Sequence, residues 1–196
     1  MIIAIKEKDR VVVAFSNTDS WKGLTDSDYI DQENLGIRFS KEGNLFGFAK
    51  MCSVSDLFLY DEDFIQNEIS PNNIVKNIIP YVKTKLNKNK KTITDDNWQN
   101  ALILCNNEHI YGIDTGFGFY ESKNYTCHGY TFVETINSVL DLTVNLPAEQ
   151  RILTAINFAI KQHKASLYPL VMVDTKTKDY KYFYKEEDKV EYFNSL

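Results

Sequence analysis

The chain has 196 residues, of which 43% are hydrophobic and 25% charged, and its net charge at neutral pH is −5. This length and composition predict a single globular domain over residues 1–196. The acidic balance argues against nucleic acid as a partner, and no apolar run approaches the ~20 residues of a membrane-spanning helix, so we expect neither a nucleic-acid-binding nor a membrane protein.

The first half of the chain predicts two hairpins and then two helices. Residues 2–5 and 11–15 are apolar runs on either side of a charged turn, and residues 35–39 and 44–49 form a second such pair. Gly47, inside the fourth run, indicates a close backbone approach or a bend. Residues 53–67 and 70–87 have apolar side chains at helical spacing, and Pro80 is expected to kink or split the second helix.

The second half repeats this order. Residues 100–105, 109–115, 116–122 and 125–130 predict strands, residues 131–142 and 146–165 predict helices, and residues 168–184 predict a last hairpin. Strands and helices that come in pairs exclude a βαβ sheet. We predict an α+β fold, a four-layer αββα sandwich of two antiparallel sheets flanked by helix pairs. The side chains expected on the outer faces of the sheets are Ile74, Ile78, Val82, Ile152, Ile156 and Ile160.

Four stretches of the sequence point to a family. They are "IIAIKEKDRVVVAF", "GNLFGFAKMCSVSDLF", "ALILCNNEHIYGIDTGFGFYE" and "EQRILTAINFAIKQHKASLYPLVMVDTKT". In their order and spacing they resemble the proteasome β-subunit family and its bacterial relatives, which have the N-terminal nucleophile hydrolase fold. The resemblance implies that the first strand begins at a mature N-terminus, at the mouth of a cleft between the two sheets.

The resemblance also shows which catalytic groups are replaced. In the family a hydroxyl or thiol at the free N-terminus is the nucleophile, and the α-amine is its general base. Removal of Met1 would expose Ile2, which has no nucleophile, and the first Ser, Thr or Cys is Ser16. Ser16 lies where the family has an acid, Leu35 where it has a lysine, and His128 near the position of a serine. We therefore interpret these five residues as remnants of a catalytic site.

Other residues offer little alternative chemistry. Cys127 and His128 are neighbours on a predicted strand, so their side chains should point to opposite faces, which disfavours a catalytic dyad. Cys and His residues do not have the spacing of metal ligands, and we expect no metal and no cofactor. Gly116 and Gly118 precede a strand and not a helix, so they indicate a turn or a bulge and not a phosphate loop. Three widely spaced cysteines predict no disulfide framework, which favours a cytoplasmic protein.

Three functions remain open at this point. The first is a proteasome-like subunit without peptidase activity that acts in assembly or binding. The second is an active N-terminal nucleophile hydrolase, a peptidase or amidase, with a non-standard site. The third is a small-molecule binding protein that uses the vacant cleft.

The two helices near residues 53–67 and 70–87 suggest a subunit contact. Phe58, Tyr60, Phe64 and Ile65 are spread over more than one helical face, and Tyr81 lies off the main stripe of the second helix. Since one sheet can cover only one face, we expect a homo-oligomer formed through these helices. The sequence does not identify an ATPase or other protein partner.

Overall fold

The computed structural model describes residues 1–16, 36–49, 58, 61–65, 68–88, 101–114, 116–129, 132–164, 167–184, 187–188 and 192. The strands in these ranges are β1 (Ile2–Glu7), β2 (Arg10–Ser16), β3 (Ile37–Phe39), β4 (Leu45–Ala49), β5 (Ala101–Cys105), β6 (Ile110–Ile113), β7 (Phe119–Ser122), β8 (Tyr125–His128), β9 (Leu170–Asp174) and β10 (Tyr180–Phe183). The helices are α1 (Glu62–Ile65), α2 (Pro71–Asn73), a π-helical turn (Ile74–Ile78), α3 (Ile79–Lys88), α4 (Val133–Leu142) and α5 (Ala148–His163). None of the described helices is long and apolar enough to cross a membrane.

The strands form two five-stranded sheets. The first sheet has the order β10–β9–β2–β1–β8 and the second the order β3–β4–β5–β6–β7. Each strand pair is antiparallel. The predicted architecture of two antiparallel sheets is therefore confirmed.

Three apolar clusters define the layers of the sandwich. One lies between the two sheets and includes Ile2, Val13 and Ile103. A second lies between the first sheet and helices α4 and α5, and a third between the second sheet and the helical segments of residues 58–88. The outer-face prediction is confirmed for Ile74, Ile78, Val82, Ile152 and Ile156, which are buried, and for Ile160, which is partly buried.

The first predicted helix needs a correction. Phe58 is helical, but a new helix, α1, begins after Asp61. The Asp61 carboxylate accepts hydrogen bonds from the backbone N–H groups of Asp63 and Phe64, as an N-cap does. This break changes the direction of the following side chains, and Phe58 and Phe64 are both fully buried on the second sheet. Neither is left for a subunit contact. Tyr60 and the side chain of Ile65, also named for that contact, lie outside the described part of the structure.

The helix around Pro80 runs through the proline. Its hydrogen bonding changes to a π-helical turn at Ile74–Ile78, and α3 begins at Ile79, one residue before Pro80. Proline has no N–H to give to an α-helical bond, and a π-helical turn is one way in which a helix accommodates a local irregularity. The interruption expected at Pro80 is therefore a change from π-helical to α-helical hydrogen bonding just before the proline. The helix does not end there.

An ionic cluster joins the β1–β2 turn to the start of α5. The guanidinium group of Arg10 donates to Glu7, Glu149 and Asp174. Burial alone would raise the pKa of Asp174, but the hydrogen bond from Arg10 and those from the backbone N–H groups of Lys176 and Thr177 together hold that pKa below its usual value. Glu7 also accepts a 2.6 Å hydrogen bond from the backbone N–H of Ala148. This cluster lies at the end of the sandwich opposite Met1.

Candidate functional site

The predicted site residues meet at one end of the first sheet. Antiparallel pairing places the start of β1 between the end of β2 and the end of β8. The amino group of Met1 donates to the carbonyl of Ser16 over 2.8 Å, and the Ser16 N–H donates to the carbonyl of Met1 over 2.9 Å. Ile2 lies opposite His128. The structure thus brings Met1, Ile2, Ser16 and His128 together, whereas Leu35 lies outside the described residues.

The alternation of strand side chains divides these residues between two faces. Ile2 points into the space between the sheets, where it belongs to the central apolar cluster. Met1 packs on the opposite face, against the cluster under α4 and α5. Ser16 is buried, and its hydroxyl donates to the carbonyl of Leu167 over 2.8 Å. The first side chain of β1 that faces the other sheet is therefore an aliphatic one.

Large side chains fill the space between the sheets near Ile2. A methyl group added to Gly47 would lie 2.4 Å from Cδ1 of Ile2, and one added to Gly36 would lie 2.4 Å from the ring of Phe15. The predicted close approach at Gly47 is thus confirmed, and its partner is Ile2. Glycine is needed here because the facing side chains lie directly on the backbone.

The side chain of Tyr120 also lies in the space between the two sheets. Its ring lies on Gly112, where a methyl group would be 2.1 Å from Cζ. The Tyr120 hydroxyl is hydrogen-bonded to Nε2 of His128 and lies 2.9 Å from Oγ1 of Thr126. The prediction did not include Tyr120 or Thr126. Gly112 within an apolar strand was the available signal, but only the β6–β7 register shows which side chain covers it.

Cys127 and His128 do not form a dyad. Cys127 packs under the helices, and burial raises the pKa of its thiol to about 12, although the nearby amino group of Met1 opposes this shift. His128 contacts Tyr120, across the sheets. Burial lowers the pKa of His128, and the carboxylate of Asp114 opposes this in part. A thiol with so high a pKa is a weak nucleophile at neutral pH.

An open cleft lies on the helix side of the first sheet. A cleft of about 420 Å³ is lined by the end of β8, the start of α4 and the end of α5. Its lining residues are Cys127, His128, Gly129, Phe132, Val133, Glu134, Thr135 and His163. It lies beside Met1, because a methyl group on Gly129 would come within 3.2 Å of the Met1 side chain.

The remaining histidines and the loop of Gly116 and Gly118 have local structural partners. His109 is hydrogen-bonded through Nδ1 to Glu121 over 2.6 Å, and His163 through Nε2 to Thr135 over 3.0 Å. The carboxylate of Asp114 accepts from the N–H groups of Gly116 and Gly118, which accords with the predicted turn. Among the described residues, no group of three His, Cys, Asp or Glu side chains is arranged to hold a metal ion.

Comparisons with known structures identify the fold. Two structures of Thiobacillus denitrificans BPH, one in complex with epoxomicin, superpose with TM-scores of 0.66 and 0.68 at 14% and 12% identity, and each match covers 88% of this chain and 96% of the other. Anbu (ancestral beta-subunit) from Yersinia bercovieri gives a TM-score of 0.61 at 12% identity, with 100% and 97% covered. Eukaryotic HslV from Trypanosoma brucei gives 0.55 at 13% identity, with 88% and 97% covered.

These proteins are proteasome-like N-terminal nucleophile hydrolases, and the chain has their fold. No protein-family model matches the sequence, and no curated protein is similar to it in sequence.

Proposed function

We propose that the protein is a proteasome-like subunit, a single domain over residues 1–196, which lacks N-terminal nucleophile peptidase activity and acts in assembly or binding. One observation carries the proposal. The side chain that points between the sheets at the start of β1 is that of Ile2, which has no exposed surface and packs on Gly47. An N-terminal nucleophile needs a hydroxyl or thiol beside the α-amine, and an aliphatic side chain supplies neither.

The position of Ser16 supports the proposal. A chain that began at Ser16 would have a hydroxyl at its N-terminus, but it would lack residues 1–15. Those residues form β1 and nearly all of β2, which lie next to each other inside the first sheet. Their removal would expose the central apolar cluster and destroy the sandwich. Ser16 is therefore a structural residue that holds the carbonyl of Leu167.

The test combines the mass of the protein with a covalent probe. Epoxyketone probes such as epoxomicin need both an N-terminal amine and its hydroxyl to close their ring, and Thiobacillus denitrificans BPH serves as the positive control. We expect a mature chain that begins at Met1 or Ile2, no adduct after incubation with epoxomicin, and no turnover of fluorogenic peptides. A mature N-terminal Ser, Thr or Cys together with an adduct on it would refute the proposal.

The cleft beside Met1 favours small-molecule binding as a second candidate function. Its volume of about 420 Å³ is within the range of small-molecule sites. It lies under α4 and α5, so a ligand would not occupy the filled layer between the sheets. A mass difference between the native and the denatured protein would support this function. If protein isolated directly from cells has the same mass in its native and denatured states, it carries no ligand that is retained on purification.

For assembly, we propose a homo-oligomer in the cytoplasm that uses the helical segments of residues 70–88. Val75 and Tyr81 are exposed there, with 50% and 36% of their surface accessible. We expect light scattering at micromolar concentration to give a mass above that of one 22.7 kDa chain. The variant Val75→Glu should lower that mass, whereas the neighbouring exposed change Lys76→Gln should not. A concentration-independent monomer would reject the contact.

A further inference from the structure

A polar cluster joins the two sheets beside Ile2. His128 and Thr126 lie on β8 of the first sheet, and Tyr120 lies on β7 of the second. The Tyr120 hydroxyl bonds to Nε2 of His128, and Oγ1 of Thr126 lies 3.2 Å from the same nitrogen. The surrounding contact between the sheets is apolar. His128 therefore links the two sheets at this edge, so a change in its hydrogen bonds can change the distance between the sheets.

Ionisable groups lie around His128 on several elements. Asp114 in the β6–β7 turn and Tyr120 on β7 act on its ring, between the sheets. On the helix side of β8, Cys127, Glu134 on α4 and His163 on α5 line the adjoining cleft together with His128, and the amino group of Met1 acts on Cys127. Asp114 favours a charged His128, but burial of the ring has the larger and opposite effect. The cluster therefore accommodates the neutral ring better than the charged ring.

Protonation changes what the ring can do in this cluster. A neutral imidazole can accept a hydrogen bond at Nε2, whereas an imidazolium can only donate there. The hydroxyls of Tyr120 and Thr126 would then both have to present their oxygen atoms to His128. In addition, a positive charge would be held in a mostly apolar layer beside Ile2, which is costly.

We propose that His128 is a pH-sensitive latch between the sheets, and that its protonation weakens the link to Tyr120 and loosens the β7–β8 edge next to Ile2. The folded protein then binds a proton at His128 less readily than the unfolded chain does. The stabilisation from the latch is complete above the ordinary histidine pKa of ~6.5 and is lost progressively as the pH falls below it. The latch does not depend on catalysis.

Hydrogen–deuterium exchange tests the latch, at about pH 7.5 and about pH 5.5, on either side of the ordinary histidine pKa. After correction for intrinsic rates, we expect residues 1–7 and 119–128 to lose protection at the lower pH by up to about tenfold, because about pH 5.5 lies one unit below the ordinary histidine pKa. Residues 45–49 and 101–105, in the middle of the second sheet, should change much less. An equal loss in all segments would refute a local latch.

Two variants test whether His128 or another histidine causes the pH dependence of exchange. His128→Gln should remove the pH dependence of residues 119–128, whereas His163→Gln, a change in the adjoining cleft, should keep it. Survival of the pH dependence in His128→Gln would overturn the proposal.

If His128→Gln does not fold, NMR titration of the histidine rings in Tyr120→Phe and the unmodified protein decides the question. Loss of the hydroxyl should raise the pKa of His128. An unchanged His128 pKa would contradict the latch.

Discussion

The contact between Ile2 and Gly47 can be measured by a double-mutant cycle. Gly47 is in an extended strand without a positive φ, so an alanine there tests the available space alone. The added methyl group would lie 2.4 Å from Cδ1 of Ile2 and 3.0 Å from Cγ2 of Ile37. Ile2→Val removes the Cδ1 atom and with it the closer of the two contacts.

The expected energies follow from these distances. Gly47→Ala alone should destabilise the protein by about 1–3 kcal/mol through overpacking. Ile2→Val alone should cost about 0.5–1.5 kcal/mol because it leaves a small cavity. In the double variant the closer contact is absent and the one to Ile37 remains, so the loss should be smaller than the sum by about 1 kcal/mol or more.

Urea denaturation provides the assay, with the midpoint and slope fitted for each variant. Ile5→Val is the matched control, since Ile5 lies on the same strand, is equally buried and faces the helices. Its combination with Gly47→Ala should be additive within ~0.5 kcal/mol. Strict additivity of Ile2→Val with Gly47→Ala would show that Ile2 does not occupy the space over Gly47, and the account of a filled site would fail.

Two further substitutions test the structural roles assigned above. Ser16→Ala should lower the free energy of unfolding by about 1–3 kcal/mol, since the buried carbonyl of Leu167 loses its donor. A stability equal to that of the unmodified protein would contradict this role. Asp174→Asn should cost about 1.5 kcal/mol at neutral pH, because the bond to Arg10 loses its charge. The pKa of Asp174 is lowered in the folded state, so this difference should shrink as the pH falls below the ordinary carboxyl pKa of ~3.9; a constant difference down to acid pH would contradict the ion pair.

Sequence periodicity predicted the sheets better than it predicted the site. The apolar runs of β1 and β2 have few polar residues, so the sequence shows that they are buried strands but not which face meets which layer. That assignment depends on pairing with β8 and β9, which lie more than 100 residues away along the chain. By contrast, the opposite directions of Cys127 and His128 follow from the two-residue period alone, and the structure agrees.

The first helix illustrates a second limit. A continuous helix over residues 53–67 would place Phe58 and Phe64 on different faces, which led to the expectation of a subunit contact. The carboxylate of Asp61 instead starts a new helix, and both rings pack against Phe48. Aspartate is both a helix surface residue and a good N-cap, so composition alone does not reveal the break.

The position of Tyr120 could not be read from the sequence either. It depends on the β6–β7 register, which places the ring over Gly112 and its hydroxyl next to His128. The glycine was visible, but its partner was not.

The central claim is that the proteasome-like fold here carries no N-terminal nucleophile. Its most direct test is the intact mass of the purified protein before and after incubation with epoxomicin, followed by sequencing of the N-terminal peptide. The account predicts a chain that begins at Met1 or Ile2 and has the same mass in both samples. A mass increase equal to one epoxomicin molecule, located on an N-terminal Ser, Thr or Cys, would contradict it.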